Sequence, residues 1–433
     1  MMSDKKILGL SWPLLIIVFA VIVGAMALGV LPGGMIGAFL FLMVVGGLLN
    51  FIGNNTPFVK TFLGGGAIVA IFVGAAFVYY KVVPEQGIKM VDAFMKSGEG
   101  KMGFLDFYIA ALITGSILGM NRNLLIKAAI RYLPTILGGV VAALGLVALA
   151  APLVGFSPAE AMAYIGIPIM GGGMGAGAVP ISEVFAQALN TPAESILGKL
   201  VPAVALGNAM AIVAGGLLNR LGKVKPSLTG NGQLMRTDDD SLKAKEEVIE
   251  MSAADYGTGI VIATAFFTVG AIVAKLFGMI GLDLHTYAWM IIAVALVKGF
   301  NLLPEKYGKA CAGWYKFVAD NFTPALLLGI GMSYTNLGDI INAFSVQYVI
   351  LVAVVILGAI IGSGFVGKLV GFYPIEAAIT AGLCMANMGG TGDVAVLTAA
   401  DRMELMPFAQ ISSRLGGAFI ILLASIIVPI FFG

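Results

Sequence analysis

Two stretches decide how this chain folds: CMANMGGTGD at residues 384–393 and PIMGGGMGAGAVP at residues 168–180. Each lies inside an apolar segment, near 377–399 and near 162–188 respectively. Glycine in a helix interior is worse than alanine by about 1 kcal/mol. The run Gly171, Gly172 and Gly173 therefore interrupts a helix. A bilayer tolerates non-helical backbone only where it is buried in protein or lines a wet cavity. Each cluster accordingly reads as the tip of a re-entrant helical hairpin. At such a tip, N–H groups suit a carboxylate and carbonyls suit a small cation. The competing reading is close helix packing through small residues. A phosphate-binding loop fits poorly, because no Gly-Lys-Ser/Thr follows and no soluble strand–helix unit surrounds either cluster.

The rest of the chain supports a membrane setting. Of 433 residues, 59% are hydrophobic and 11% charged, with 59 glycines. Soluble domains lie near 45–50% apolar and about 25% charged. The apolar excess runs end to end, with a mean hydropathy of +1.00. The glycines follow no collagen period, and the hydrophobicity excludes disorder. Cys311 and Cys384 lie far apart, so neither a disulfide framework nor a zinc site is expected. His285 is the only histidine, which rules out a multi-histidine metal centre. A net charge of +2 points to no nucleic acid.

A helix needs roughly 20 apolar residues to cross the bilayer core. Candidate spans are 12–31, 35–52, 62–80, 105–119, 133–153, 200–218, 257–280, 288–303, 324–344, 348–366 and 408–432. The run 7–31 is too long for a signal-peptide core and reads as the first spanning helix. The expected fold class is an all-α polytopic membrane protein with about 11 transmembrane helices plus two re-entrant helical hairpins. The only long polar stretch, 219–255, mixes Arg220, Lys223, Lys225, Arg236, Lys243 and Lys245 with Asp238, Asp239, Asp240, Glu246, Glu247 and Glu250. It reads as a cytoplasmic loop, with Lys5 and Lys6 placing the N-terminus on the same side. The mixed-charge stretch 84–103 reads as a solvated connection.

The two glycine clusters belong to a repeat. Phe156, Pro158, Glu160, Ala161 and Gly166 precede the first cluster; Phe372, Pro374, Glu376, Ala377 and Gly382 precede the second in the same register. The copies flank the polar loop. This is the internal symmetry of a secondary transporter built from structural repeats. The expected organisation is an N-terminal helix (1–32), a first repeat (33–222) with its hairpin near 162–188, a linker loop (223–255), and a second repeat (256–433) with its hairpin near 377–399.

Ionised side chains at membrane depth mark ion and substrate paths. Asp393 follows the second cluster, Asn387 precedes its glycines, and Ser413 and Arg414 head the last apolar run. Arg414 offers a planar fork that fits a carboxylate bidentately. Asp393, the Ser413 hydroxyl and nearby carbonyls offer the hard oxygen ligands a small cation prefers. The competing reading is a structural Asp393–Arg414 pair. Arg402 and Glu404 read as interfacial and Lys298 as snorkelling. Glu160 and Glu376 read as acidic residues at helix starts, suited to the dipole, and Glu183 as either such a residue or part of the site. His285 reads as a loop residue rather than a proton relay.

The motifs GGGxGAGAVP (171–180), NxGGxGD (387–393) and SRxGG (413–417) together resemble the bacterial 2-hydroxycarboxylate transporter family of sodium-coupled citrate and malate carriers. The resemblance covers nearly the whole chain. It implies a homodimer in the bacterial inner membrane, with inverted repeats and a mobile part that moves as an elevator. It implies two sodium ions, held around Ile169, Gly171, Cys384, Met385, Asn387, Gly389, Asp393 and Ser413. It places the substrate carboxylate at Arg414, with Gly175, Gly390 and Thr391 alongside. Citrate-specific members of the family carry asparagine where this chain has Met174 and arginine where it has Met388. A three-carboxylate substrate facing one arginine would leave charge uncompensated in a desolvated site.

The expected activity is therefore sodium-coupled symport of a 2-hydroxydicarboxylate, with L-malate favoured over citrate. Alternatives are a citrate carrier or exchanger, the glycine-rich membrane subunit of a sodium-pumping decarboxylase, and a channel. A dicarboxylate clamp at Arg414 favours the carrier over the decarboxylase subunit.

Overall fold

A computed structural model describes residues 7–57, 59, 65–96, 103–119, 122–236, 251–280, 282, 284–335, 337–338 and 345–432. Residues 67, 68, 122–130, 175, 176, 194, 390, 391 and 407 are described by their backbone alone. Lys5, Lys6, Asp283 and the charged stretch 237–250 of the central loop lie outside the described residues.

The described chain is helical, in the order α1 (Trp12–Ala27), α2 (Gly34–Asn55), α3 (Gly66–Tyr79), α4 (Glu85–Lys96), α5 (Phe104–Leu118) and α6 (Arg122–Ala150). A broken hairpin, 158–189, follows. Next come α7 (Ala193–Val224), α8 (Ala253–Gly278), α9 (Thr286–Gly299), α10 (Glu305–Ser333) and α11 (Val346–Leu369). A second broken hairpin, 374–400, leads to α12 (Phe408–Phe432). Among the described residues, six helices are long and apolar enough to cross a membrane: α2, α6, α7, α8, α11 and α12. The spans expected at 12–31, 62–80, 105–119 and 288–303 fall on the shorter apolar helices α1, α3, α5 and α9.

Two stretches are more ordered than their polarity suggests. The connection 84–103 contains α4, which buries Gly87, Met90, Val91 and Met95 on one face. That spacing is an amphipathic stripe. Lys89 pairs with Glu85 at 2.7 Å and Lys96 with Asp92 at 2.8 Å on the other side. Of the span expected at 324–344, residues 336 and 339–344 lie outside the described residues, and its first part is the end of a 29-residue helix, α10, that runs from Glu305 to Ser333. Its polar half is held by the pairs Lys309–Glu305 and Lys316–Asp320, each at 3.3 Å, and by a buried face of Gly308, Cys311, Trp314 and Val318.

The helices gather in two groups. α10 packs against α2, α3, α4, α5 and α8. The hairpins pack with α6, α7, α11 and α12. α6 and α11, which enter the two hairpins, meet backbone to backbone: a Cβ at Gly358 would lie 2.6 Å from the Ala143 Cα, and one at Gly362 would strike the Gly138 carbonyl. Gly358 and Gly362 are four residues apart, the small-residue spacing that lets membrane helices approach closely. Part of the glycine content therefore does serve packing.

Candidate functional site

Both glycine clusters break a helix. In the first hairpin the arms 158–169 and 174–189 meet at a turn where Gly172 and Gly173 take φ of +78° and +116°. In the second, the arms Pro374–Leu383 and Gly390–Ala400 meet across residues 384–389, with Gly389 at φ +66°. These left-handed values suit glycine, which has no Cβ to clash. Wide π turns occur at Met162–Gly166, Met174–Ala178 and Ala378–Leu383 in the hairpins and at Ser412–Gly416 ahead of α12. Such turns loosen the i→i−4 ladder and cluster at functional sites.

The two tips meet, and the Ser412–Gly416 turn meets them. A Cβ on Gly173 would stand 2.7 Å from the Met388 carbonyl carbon, and one on Gly172 would stand 2.8 Å from the Ser413 carbonyl oxygen. Around this junction oxygen outnumbers protons. The Ser413 hydroxyl lies 3.1 Å from the Cys384 carbonyl, 3.1 and 3.0 Å from the two Asp393 carboxylate oxygens, and 3.2 Å from the Ala409 carbonyl. One hydroxyl proton cannot serve four acceptors. Asn387 donates from Nδ2 to Asp393 Oδ1 at 2.9 Å, and its Oδ1 accepts the Gly389 N–H at 2.6 Å. Asp393 is 1% exposed and Asn387 is fully buried. A buried, anionic, oxygen-rich cluster of this kind suits a hard cation. Among the described residues no three His, Cys, Asp or Glu side chains gather as a metal centre, so the donors are mixed hydroxyl, carbonyl and carboxylate.

The remaining expected cation residues are close by, but their side chains are apolar. Gly171 lies against Gly417, Met385 packs on Gly416, and the buried Ile169 packs on Gly207. Only their backbone carbonyls could serve a cation.

Arg414 follows Ser413 on the same π turn. It is half-buried, and its guanidinium carbon lies 5.8 Å from the ring centroid of Tyr315 on α10. Among the described residues it forms no ion pair with Asp393 or any other carboxylate. Met174 is 2% exposed and Met388 half-buried. Gly175, Gly390 and Thr391 open the second arms of the two hairpins; the Thr391 side chain lies outside the described residues.

Several contributors were not singled out in the sequence. Asn208, fully buried on α7, accepts the Met388 N–H at 3.1 Å and so holds the second tip. An asparagine inside an apolar helix was the available signal. Tyr132 on α6 donates to the Phe408 carbonyl at 3.1 Å and shares a 2.7 Å hydrogen bond with the Ser412 hydroxyl, which steadies the turn bearing Ser413 and Arg414. The Lys298 ammonium donates to the Leu118 carbonyl at 2.6 Å, at the end of α5. His285 caps α9, its Nδ1 accepting the Tyr287 N–H at 3.2 Å. Glu160 is exposed in the first turn of its arm. Glu376 stands in the first turn of its arm, as expected, but it is also fully buried against Arg402, 3.3 Å away.

Known proteins resemble the chain over nearly its whole length. The model of the 2-hydroxycarboxylate transporter family matches residues 7–426. The chain is 39% identical to the malate transporter MleP of Lactococcus lactis subsp. lactis, over 100% of this chain and 99% of that protein. It is 37% identical to the citrate transporter CitP of Leuconostoc mesenteroides subsp. mesenteroides, over 92% of this chain and 88% of that protein. It is also 37% identical to the Na(+)-malate symporter of Bacillus subtilis, over 97% of this chain and 92% of that protein. With its apolar helices, paired broken hairpins and near full-length relatives, the chain belongs to the 2-hydroxycarboxylate transporter family, and it is a membrane transporter rather than an enzyme.

Proposed function

We propose that the chain is a sodium-coupled symporter of a 2-hydroxydicarboxylate, with L-malate as substrate. The observation that carries this reading is the adjacency of two unlike centres on one turn. Ser413 faces the oxygen cluster of Asp393, and the next residue, Arg414, makes no close ion pair among the described residues, although it feels the Asp393 charge at longer range. A cation fits the first centre and a carboxylate the second. The Na(+)-malate symporter among the relatives supports sodium as the cation. Met174 and Met388 supply no charge for a third carboxylate, which favours malate over citrate.

Two sodium ions are the natural stoichiometry for a dianion. Each tenfold sodium gradient is worth about 1.4 kcal/mol per ion, so two ions support roughly 100-fold accumulation of an electroneutrally carried dianion. The ligands would come from Ile169, Gly171, Cys384, Met385, Asn387, Gly389, Asp393 and Ser413. The substrate would meet Arg414, Met174, Gly175, Met388, Gly390 and Thr391. The two helix groups suit an elevator in the bacterial inner membrane. In it the hairpins, α6, α7, α11 and α12 carry the site across as a unit, with inverted repeats and a homodimeric static part.

The test is uptake into proteoliposomes of the purified protein, with labelled malate, citrate and lactate and with sodium and proton gradients imposed separately. Sodium-driven accumulation of malate is the expected result. Accumulation driven by protons alone would overturn the coupling, and a preference for citrate would overturn the substrate.

A further inference from the structure

The two hairpins open with the same residues, yet their bases differ. Glu160 and Glu376 hold the same position in the repeat, and each lies in the first turn of its arm. Each second arm also ends on a left-handed residue, Asn190 at φ +48° and Asp401 at φ +56°. Beyond that residue the first hairpin has Thr191 and the second has Arg402. Glu160 is exposed, whereas Glu376 is fully buried and Arg402 is 5% exposed.

Glu376 stands at the N-terminus of one arm and Arg402 at the C-terminus of the other, so each charge also complements its own helix dipole. Arg402 donates from Nε to Glu376 at 3.3 Å, and from Nη1 to the Asp401 and Ala400 carbonyls at 2.7 and 3.4 Å. Its Nη2 reaches the Thr229 hydroxyl at 3.2 Å and Asn231 Oδ1 at 3.1 Å. Glu376 in turn accepts the Thr229 hydroxyl at 2.6 Å, the Gly230 N–H at 2.9 Å and the Gly232 N–H at 3.4 Å. The turn at 229–232 belongs to the start of the central linker. That strand of linker is tied down further along: Tyr373 donates its N–H to the Leu234 carbonyl at 2.9 Å, and Arg236 donates to the Gly371 carbonyl at 3.0 Å. A buried ion pair whose hydrogen bonds are all met is rigid, and removing one partner leaves the other charge stranded.

We propose that Glu376, Arg402 and the linker turn at Thr229 form a clasp that shuts the base of the second hairpin and so positions the cation ligands at its tip. Asn387 lies in the connection between the arms and Asp393 in the first turn of the second arm, so the separation of the arms bears on how these two side chains meet. All three are positioning residues; none touches the cation. The linker is thereby a structural third strand of the second hairpin, a role for which the first hairpin has no equivalent residue.

The proposal rests on the sodium-symport reading, and the experiment separates the two. Malate uptake by proteoliposomes is measured against sodium concentration for the unaltered protein, Glu376→Gln, Thr229→Val and Glu160→Gln. Sodium-dependent thermal stabilisation is recorded on the same purified samples. Absence of any sodium dependence in the unaltered protein would overturn the symport reading itself. Given that dependence, Glu376→Gln is expected to raise the sodium needed for half-maximal uptake about tenfold and Thr229→Val about threefold, in line with the loss of charged and neutral hydrogen bonds. Rates at saturating sodium stay near normal and Glu160→Gln has no effect. If Glu376→Gln does not accumulate, Thr229→Val decides the question. Unchanged sodium half-saturation in Thr229→Val, or an equal loss of rate at all sodium concentrations, would overturn the clasp.

Discussion

The Ser413 hydroxyl stands almost equidistant from the two carboxylate oxygens of Asp393, at 3.1 and 3.0 Å. With one proton between them, the pair carries unspent negative charge. Asp393→Asn keeps the size of the side chain but removes that charge and turns one oxygen into a donor. The sodium concentration for half-maximal malate uptake is expected to rise by about tenfold or more, the scale of a lost charged interaction. Uptake titrated with sodium chloride at fixed ionic strength checks this, and an unchanged sodium curve would count against Asp393 as a ligand.

Arg414 is half-buried beside the Tyr315 ring and makes no close ion pair among the described residues. Arg414→Ala is expected to lower malate affinity by about 100-fold, since truncating one side of a buried charge pair costs about 2–5 kcal/mol. Arg414→Lys should recover only part of the loss, because an ammonium cannot offer a two-pronged contact. Malate binding by calorimetry, with thermal unfolding as a control for folding, tests both variants. Intact uptake by Arg414→Ala would remove the clamp.

Met388 and Met174 present thioethers where a third carboxylate would need a polar partner. Met388→Arg, alone or with Met174→Asn, is expected to shift preference toward citrate by about tenfold, the effect of one added charged hydrogen bond. Competition between labelled malate and unlabelled citrate reads the ratio directly. No change in that ratio would mean that selectivity lies elsewhere.

Gly173 is held at φ +116°, and a Cβ there would press within 2.7 Å of the Met388 carbonyl carbon. Gly173→Ala is expected to destabilise the protein by about 1–3 kcal/mol, the range for a strained backbone position. It should also push the tips apart, so that uptake falls more than stability predicts. Gly24→Ala, inside α1 where a Cβ meets nothing within 4 Å, serves as the unstrained control in the same melting and uptake assays: it should leave uptake unchanged and stabilise by up to about 1 kcal/mol.

What could be read from the chain was what the local backbone dictates. The glycine runs at 171–173 and 389–390 break their helices where Gly46–Gly47, Gly138–Gly139 and Gly215–Gly216 do not, and the hairpin tips at 170–173 and 384–389 were legible because the first run is longer and the second is flanked by Asn387 and Asp393. So were Asp393 and Arg414, because charge at membrane depth is rare. Glu376 was not legible: Glu160 sits in the same local frame and is exposed, and only the tertiary partners Thr229 and Arg402 bury its counterpart. The helix α4 was hidden by its charges, although its apolar residues recur at helical spacing from Gly87 to Met95. The π turns leave no mark in composition, since they reflect how neighbouring helices accommodate one extra residue.

One consequence concerns leakage. Ser413 and Arg414 are consecutive on a wide turn of five residues. If the two residues act as proposed, seating a cation against the hydroxyl would fix the backbone from which the guanidinium departs, and seating an anion on the guanidinium would fix the hydroxyl. Thermodynamic reciprocity then requires each to tighten the other by the same factor. On that reading a half-loaded carrier would be the less ordered species, and co-transport would need no signal relayed across the fold, only a shared peptide unit.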